Sequence, residues 1–176
     1  MSDEVIPGVR FRGASPDDAE SVSRFLSFSF TDTFGHLYPP EDLAAFLQGW
    51  DAAGYRAELE DPAYGFRLAE TADGVRALGK LGPATLPFDP GPRRATELRQ
   101  LYVAPELKGR GVAEALMEWL LTEARARGFE EIYLSVFIDN HRARRFYERY
   151  GFVEVGTYGF KVGNTIDDDR VLKLSL

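Results

Sequence analysis

The chain has 176 residues, 44% hydrophobic and 28% charged, which is typical of a folded globular protein and argues against a disordered one. Its 21 basic and 28 acidic residues give a net charge of -7, which argues against a duplex nucleic acid as a partner. Because it contains no cysteine and only two histidines, disulfides, thiolate metal sites and a cysteine nucleophile are excluded, and no metal is expected.

Neither a membrane span nor an export signal is predicted. No run approaches the roughly 20 apolar residues that a span requires, and the first residues, MSDEVIPG, lack the basic and apolar regions of a leader. No internal repeat or long linker divides the sequence. We therefore expect one domain over residues 1–176, located in the cytoplasm and without a membrane partner.

The first half of the chain predicts a strand, two helices and a hairpin. Ser15-Pro16-Asp17-Asp18 is typical of a helix start, and Pro39-Pro40 ends that helix and opens the next one. Prolines in the stretch after the hairpin favour a loop. In order, the predicted elements are a strand at 8–12, a helix from Ala19, a helix at 41–53, strands at 65–70 and 74–80, and a loop at 81–94.

The second half predicts alternating strands and helices. Gly128 and Gly151 end the two helices, and residues 163–169 read as a turn-rich connection. The predicted elements are strands at 96–103 and 132–136, helices at 111–127 and 140–150, and strands at 153–160 and 170–174. Alternation in the middle with hairpins at both ends predicts a layered α/β domain with a mixed sheet.

A glycine-rich turn joins the strand at 96–103 to the following helix, with the sequence Lys108-Gly109-Arg110-Gly111-Val112-Ala113. Free amides at a helix start form an anion site, and glycines let a pyrophosphate approach the backbone. The segment is neither a P-loop nor a complete dinucleotide fingerprint. A plain strand–turn–helix connection and an unrelated mononucleotide site both stay open on these residues alone.

A second segment, Asn140 to Phe152, contains Asn-x-x-Ala-x-x-Phe-Tyr followed by Gly-Phe. Together with the turn at 108–113, which fits the pattern Gln/Arg-x-x-Gly-x-Gly/Ala with Lys at its first position, it resembles the GNAT superfamily of acyl-CoA-dependent N-acetyltransferases. The resemblance covers about residues 9–174. It implies a layered fold in which helices flank a mixed, mostly antiparallel twisted sheet, and acetyl-CoA as co-substrate.

The resemblance also implies how acetyl-CoA is held. The backbone along Leu101, Tyr102 and Val103 would pair with the pantetheine arm as a further strand would. The amides from Lys108 to Ala113 would bind the pyrophosphate, and Asn140 would bind near the thiol. The arginines at 142, 144, 145 and 149 read as a solvated helix face, from which Arg142 would reach the ribose phosphate.

Two residues are predicted to act on protons. Tyr147 would protonate the leaving thiolate, and Glu97 would take the proton of the amine, directly or through a water. A backbone amide near Val103 would stabilise the oxyanion if the strand bulges there. The plainer alternatives are that Tyr147 belongs to the core, that Glu97 is a solvated strand residue and that Asn140 caps its helix.

The acceptor pocket is expected at two places in the sequence. Residues 33–38 resemble the spermidine/spermine-acetylating branch of the family, which implies that Phe34, His36 and Tyr38 border the acceptor, although a lone histidine is more often structural. Tyr158 and Phe160 would line the apolar part of the channel. The acidic run at 167–169 favours a cationic acceptor, unless it is only a solvated turn.

The predicted function is therefore acetyl transfer from acetyl-CoA to an amine, such as a polyamine, by direct attack in a ternary complex. Because the chain contains no cysteine and no Gly-x-Ser-x-Gly elbow, no acyl-enzyme is expected. A non-catalytic acyl-CoA-binding module and an acetyltransferase that acts on a protein N-terminus are the alternatives. A homodimer is left open.

Overall fold

The computed structural model describes residues 6–176, and its centre is one seven-stranded sheet. The strands are β1 (Arg10–Gly13), β2 (Gly65–Thr71), β3 (Gly74–Gly82), β4 (Ala95–Val103), β5 (Glu131–Phe137), β6 (Val153–Val162) and β7 (Thr165–Ser175). They lie side by side in the order β1-β2-β3-β4-β5-β7-β6. Only β4 and β5 run parallel; the other neighbours are antiparallel. The predicted mixed, mostly antiparallel sheet is confirmed.

Helices cover both faces of this sheet. They are α1 (Ala19–Phe34), α2 (Pro40–Leu47), α3 (Ala52–Glu60), α4 (Val112–Ala126) and α5 (His141–Arg149). The apolar stripes of α4 and α5 pack on the face that carries Leu98 and Leu134, whereas α1 and α3 pack on the face that carries Leu78. Within residues 6–176, no helix combines the length and apolarity needed to cross a bilayer.

A wedge opens in the sheet between β4 and β5. The two strands pair only where residues 95–97 lie opposite residues 131–133. Beyond that point β4 stays paired with β3 and β5 with β7. The two strands therefore separate, and within the described residues the backbone edge of β4 that faces β5 has no strand partner beyond Glu97. This gap joins the two faces of the sheet.

A bulge in β4 lies at Arg99. Lys80 is opposite Gln100 and Leu81 is opposite Leu98, so Arg99 is the extra residue. The bulge expected near Val103 is not there, since residue 103 pairs regularly with β3. Lys80 and Gly82 lie on the same face of β3, because side chains alternate along a strand. Their partners on β4, Gln100 and Glu97, therefore share that face.

The predicted helix at 41–53 is wrong: it is two helices with a break between them. α2 ends at Leu47, and α3 begins after Asp51, whose carboxylate accepts a hydrogen bond from the Gly54 N–H at 2.8 Å. An N-cap of this kind starts a new helix and sets its direction. The apolar periodicity of α2 masked the break, and α3 itself was not predicted beyond residue 53.

The connection predicted at 163–169 is much shorter in the structure. β6 continues to Val162 and β7 begins at Thr165, so only residues 163 and 164 form the turn. Gly163 adopts a φ of +57° in that turn. The three aspartates that suggested a turn are strand residues, because β7 hydrogen-bonds to β5 on one side and β6 on the other.

Candidate active site

A cavity of about 890 Å³ lies where β4 and β5 separate. It is lined from both faces of the sheet, and it brings together most of the residues predicted from the sequence. Those predicted to bind cofactor or to act on protons are Glu97, Leu101, Tyr102, Val103, Lys108, Gly109, Ala113, Asn140, Arg142 and Tyr147. Those predicted for the acceptor are Phe34, Tyr38, Tyr158 and Phe160.

Four predicted site residues do not line this cavity. His36 is exposed on a single 3₁₀ turn, Gly35–Leu37, that leads out of α1. The guanidinium of Arg110 donates to the carbonyl of Pro7 at 2.6 Å. Val112 is buried in the core beneath α4, and Gly111 is the N-cap of that helix, with a φ of +83°. In this position Gly111 shapes the turn rather than the cavity wall.

The turn before α4 is built to hold an anion. Gly109 and Gly111 both have positive φ, which L-residues with a Cβ rarely adopt. Among the described residues, the N–H groups of residues 109–113 have no backbone acceptor, and the N-cap makes no side-chain hydrogen bond. These amides carry the partial positive charge of the helix end. Four cationic side chains also line the cavity: Lys108, Arg142, Arg145 and Arg149.

The free edge of β4 leads from this anion site into the gap. Leu101 and Val103 line the cavity, and the edge beyond Glu97 offers backbone N–H and C=O groups that another strand would otherwise bind. An extended ligand that carries amide groups can take that place. The anion-binding turn and this edge together fit a chain that joins a pyrophosphate to an amide-containing arm, as CoA does.

Tyr147 belongs to the core and to the cavity wall at the same time. Its ring packs edge-on against Phe152 with centroids 5.7 Å apart, within the cluster beneath α4 and α5, and the residue also lines the cavity. Burial raises the pKa of Tyr147. The phenol therefore keeps its proton at neutral pH and is able to donate it.

Asn140 caps α5, as its position in the sequence allowed. Its side-chain oxygen accepts a hydrogen bond from the Ala143 N–H at 3.3 Å, which satisfies one of the free donors at the helix start. The residue also lines the cavity. Because the amide group of an asparagine has a donor end as well, the cap leaves that end able to bind a ligand.

Glu97 lies at the closed end of the gap, where β4 and β5 still pair. The residue is 6% exposed. One carboxylate oxygen, Oε2, accepts from Arg99 Nε at 3.0 Å and from the Thr85 hydroxyl at 3.4 Å. The other, Oε1, is buried and has no partner in residues 6–176. Burial raises the pKa of Glu97, and the charge of Arg99 opposes that rise.

A buried lysine beside Glu97 was not predicted from the sequence. Lys80 is 3% exposed and binds Glu58 of α3 with an Nζ–Oε2 distance of 2.5 Å. Its ammonium also lies 5.2–5.6 Å from the ring centroids of Tyr55, Tyr64 and Phe66. Burial lowers the pKa of Lys80. Both Lys80 and Glu58 line the cavity. The pair could not be predicted because Glu58 lies on the part of α3 that the sequence pattern did not reveal.

The other end of the cavity is acidic. Asp169 is 5% exposed, and it lines the cavity together with Asp167. The hydroxyl of Tyr38 donates to the Asp167 carboxylate. Burial, reinforced by the charge of Asp167, raises the pKa of Asp169 to about 7. The side chain of Asp168 points to the other face of the sheet, where it is exposed and pairs with Arg170 at 3.2 Å.

Aromatic rings form the wall between the two ends. Phe30 is central: its ring centroid lies 4.7 Å from that of Phe46 and 5.1 Å from that of Trp50. Phe160 packs edge-on against Phe46 at 5.6 Å. Tyr102, which was predicted for the cofactor, directs its ring to this side of the sheet, 6.5 Å from Trp50. An aliphatic chain would be well matched to such a wall.

Within residues 6–176, no group of three or more His, Cys, Asp or Glu side chains has an arrangement that could hold a metal ion.

Comparison with known folds agrees with this arrangement. The computed structure is similar to the PaiA N-acetyltransferase of Thermoplasma acidophilum in complex with coenzyme A, with a TM-score of 0.78, 18% identity and coverage of 100% of both chains. It is also similar to the spermidine N-acetyltransferase of Vibrio cholerae in complex with CoA and spermine, with a TM-score of 0.65 and 22% identity over 96% of this chain and 95% of that one.

A third similar structure is that of an enzyme named for a protein substrate. It is the ribosomal-protein-S5-alanine acetyltransferase of Vibrio fischeri, with a TM-score of 0.68 and 12% identity over 99% of this chain and 96% of that one. No curated protein sequence matches the chain. At these identities the structural likeness establishes the fold and leaves the acceptor open.

The sequence itself gives the family. The model of the acetyltransferase (GNAT) family matches residues 24–152, which include α4, β5 and α5 and therefore the anion-binding turn, the gap and Tyr147. Members of this family use acetyl-CoA as co-substrate, and the turn and free strand edge described above fit that molecule. The chain belongs to the GNAT family of acetyltransferases and is an acetyl-CoA-dependent N-acetyltransferase.

Proposed function

We propose that the acceptor is a small cationic amine with at least two ammonium groups, such as an alkyl diamine or a polyamine. The observation that carries this proposal is that cations and buried carboxylates line one cavity from opposite faces of the sheet. Arg142 and Arg145 belong to α5 and Lys108 to the turn before α4, which lie on one face, whereas Asp167 contacts Tyr38 beside α1 on the other face, with Asp169 on the same side of β7. Clefts lined with one sign of charge concentrate ligands of the opposite sign.

The aromatic wall supports the same acceptor class. Phe30, Phe46 and Trp50 form a continuous apolar surface beside the acidic end. A diamine has a methylene chain between its ammonium groups, so it matches both the wall and the carboxylates. The fold holds CoA together with spermine in the Vibrio cholerae enzyme, which supports a polyamine as the acceptor here.

Binding of acetyl-CoA is proposed to follow the turn and the strand edge. The free amides of residues 109–113 would hold the pyrophosphate, whereas the Lys108 N–H already donates to the Pro105 carbonyl at 3.2 Å. The backbone of Leu101 and Val103 would pair with the pantetheine arm. Asn140 and Tyr147 would then lie near the sulfur, and Arg142 would reach the ribose phosphate. Acetyl-CoA supplies the acetyl group as a thioester.

The reaction needs one proton acceptor and one proton donor from the chain. An alkyl ammonium with a pKa near 10 must lose a proton before it can attack. Glu97 and Asp169 are buried carboxylates that line the cavity. Tyr147 is proposed as the donor to the leaving sulfur. Because the chain contains no cysteine, direct attack by the amine in a ternary complex is proposed.

A panel of amines tests the acceptor assignment. Purified protein and acetyl-CoA are incubated with 1,4-diaminobutane, spermidine, a neutral monoamine analogue, glutamate and a peptide with a free N-terminus, and products are measured by mass spectrometry. We expect the diamine or polyamine to have the highest kcat/KM and its KM to rise with ionic strength. Faster acetylation of glutamate or of the peptide would overturn the assignment.

Cofactor binding provides the control. CoA is expected to raise the melting temperature, whereas ATP and NAD are not. If CoA binds but no amine in the panel releases thiol from acetyl-CoA, the assignment of the acceptor to this class of amines fails.

A further inference from the structure

We propose that Asp169 on β7, and not Glu97 on β4, accepts the proton of the acceptor ammonium. This inference rests on the proposed function, because it assigns the acid–base chemistry of the same site. Three structural observations support it: the position of Asp169 along the gap, the absence of a paired cation among the described residues, and the groups that line the cavity with it.

The first observation is the position of Asp169 along the gap. Glu97 pairs with Tyr133 at the closed end of the gap. Asp169 is opposite Phe137, four residues further along β5, which is roughly 13 Å at about 3.3 Å per residue. It therefore lies beside the open part of the gap, where the free edge of β4 leaves room for a ligand. A base that acts on the amine has to be in that part.

The second observation is that no cation is paired with Asp169 among the described residues. Within residues 6–176, no lysine, arginine or histidine forms an ion pair with Asp169. The neighbouring Arg170 points away and pairs with Asp168 and Glu154. Glu97, by contrast, is paired with Arg99 at 3.0 Å. A carboxylate already neutralised by a guanidinium attracts an ammonium weakly, whereas a buried carboxylate without a cation attracts one strongly.

The titratable and polar groups around Asp169 come from four strands and from the 3₁₀ turn after α1, where the pKa of Tyr38 is raised by burial, by Asp167 and, less strongly, by Asp169. Asp167 and Asp168 flank it on β7, Ser135 faces it from β5 and Tyr158 is its partner on β6. From β4, Tyr102 has a pKa that is raised by burial, then by Tyr147 and, less strongly, by Asp169. Tyr102, Tyr147 and Asp169 all line the same cavity.

Asp169 and Tyr147 together account for every proton that moves in the reaction. The ammonium gives one proton to Asp169, and the nitrogen lone pair forms a bond to the thioester carbonyl carbon. As the C–S bond breaks, sulfur takes the proton of Tyr147, and the second proton lost by nitrogen restores the phenol. Asp169 then releases its proton to solvent, so each turnover yields an acetylated amine, free CoA thiol and one proton.

The affinity of Asp169 for a proton is suited to this role. Burial and the charge of Asp167 raise its pKa to about 7. A base with a pKa near the working pH is ionised in part of the molecules and still takes a proton readily. Ordinary solvated aspartates, with a pKa near 4, are weaker bases by comparison.

The test is a pH–rate profile of kcat/KM for 1,4-diaminobutane between pH 5.5 and 9.5. The wild type is expected to show an acidic limb with an apparent pKa near 7. Asp169→Asn is expected to lose that limb and to lower kcat/KM at pH 7 by about 100-fold or more. Glu97→Gln is expected to keep the limb. Asp168→Asn, the matched control on the exposed side of the same strand, is expected to remain within about threefold of wild type.

A second acceptor separates base catalysis from a structural defect. With a weakly basic amine that is already neutral at pH 7, such as 2,2,2-trifluoroethylamine, the defect of Asp169→Asn is expected to shrink at least tenfold, because no proton has to be removed. CoA affinity, measured by calorimetry, should match the wild type. An unchanged limb in Asp169→Asn, loss of the limb in Glu97→Gln, or an equal defect with both amines would overturn the proposal. If wild type transfers acetyl to neither amine, the proposed function fails instead.

Discussion

Replacement of Asp169 by Asn should change the pH dependence of stability, independently of any effect on activity. The pKa of Asp169 is about 7 in the folded protein, raised by burial and by Asp167 from an ordinary value of 3.8. The native state therefore binds this proton more tightly than the unfolded state does. The stability that the proton contributes is complete below pH 3.8, and it is lost as the pH rises through 7.

The size of the effect follows from the same two values. A rise from 3.8 to about 7 is about three pKa units, and each unit corresponds to about 1.4 kcal/mol. The free energy of unfolding of wild type should therefore fall by up to about 4 kcal/mol relative to Asp169→Asn between pH 4 and pH 8. Above pH 8 the difference should be constant, because Asp169 is then ionised in both states.

Urea unfolding followed by circular dichroism at pH 4.5, 6, 7 and 8 measures this difference. Asp168→Asn provides the control, since its carboxylate is 55% exposed and its ion pair with Arg170 lies at the surface. The control should differ from wild type by a few tenths of a kcal/mol at every pH. A difference between wild type and Asp169→Asn that does not vary with pH would refute the reasoning that Asp169 is buried without a compensating cation.

Three further substitutions test other parts of the site and its frame. Gly111→Val should weaken CoA binding, measured by calorimetry, because valine at a φ of +83° costs about 1–3 kcal/mol and displaces the anion-binding amides; unchanged affinity would contradict this. Tyr147→Phe should keep its melting temperature and CoA affinity while kcat drops at least tenfold, and an unchanged kcat would return the residue to a core role alone. Asp42→Ala should lower the free energy of unfolding by about 1–3 kcal/mol, since it removes the acceptor of the Asn164 N–H at 3.1 Å and of the Thr165 hydroxyl at 2.8 Å. A loss below about 0.5 kcal/mol in thermal unfolding would show that these two hydrogen bonds contribute little.

Features that depend on neighbouring residues were predicted from the sequence alone. The glycines at 109 and 111 predicted a turn at a helix start, and in the structure a turn with positive φ at both glycines leads into α4. The helix that follows, and the helix capped by Asn140, were predicted from their apolar periodicity and end signals. These patterns also carried the family resemblance, which the family model confirms over residues 24–152. Each of them is read within a few residues of the chain.

Burial and charge pairing were decided by the tertiary structure. The pair Lys80–Glu58 joins β3 to a helix that the sequence pattern did not reveal, and its members lie 22 residues apart. The choice between a solvated acidic turn and an acidic pocket also depended on strand pairing. Only the pairing of β7 with both β5 and β6 places Asp169 inside and leaves Asp168 outside.

The same holds for the gap that forms the site. Nothing local in β4 or β5 indicates that they pair over three residues and then separate. That geometry arises because β3 holds one strand along its length and β7 holds the other, while the cluster around Met117 and Tyr147 packs on them from one face. Local sequence fixes backbone angles and helix ends. The depth of a pocket and the ionisation of a carboxylate depend on which distant segments exclude water from it.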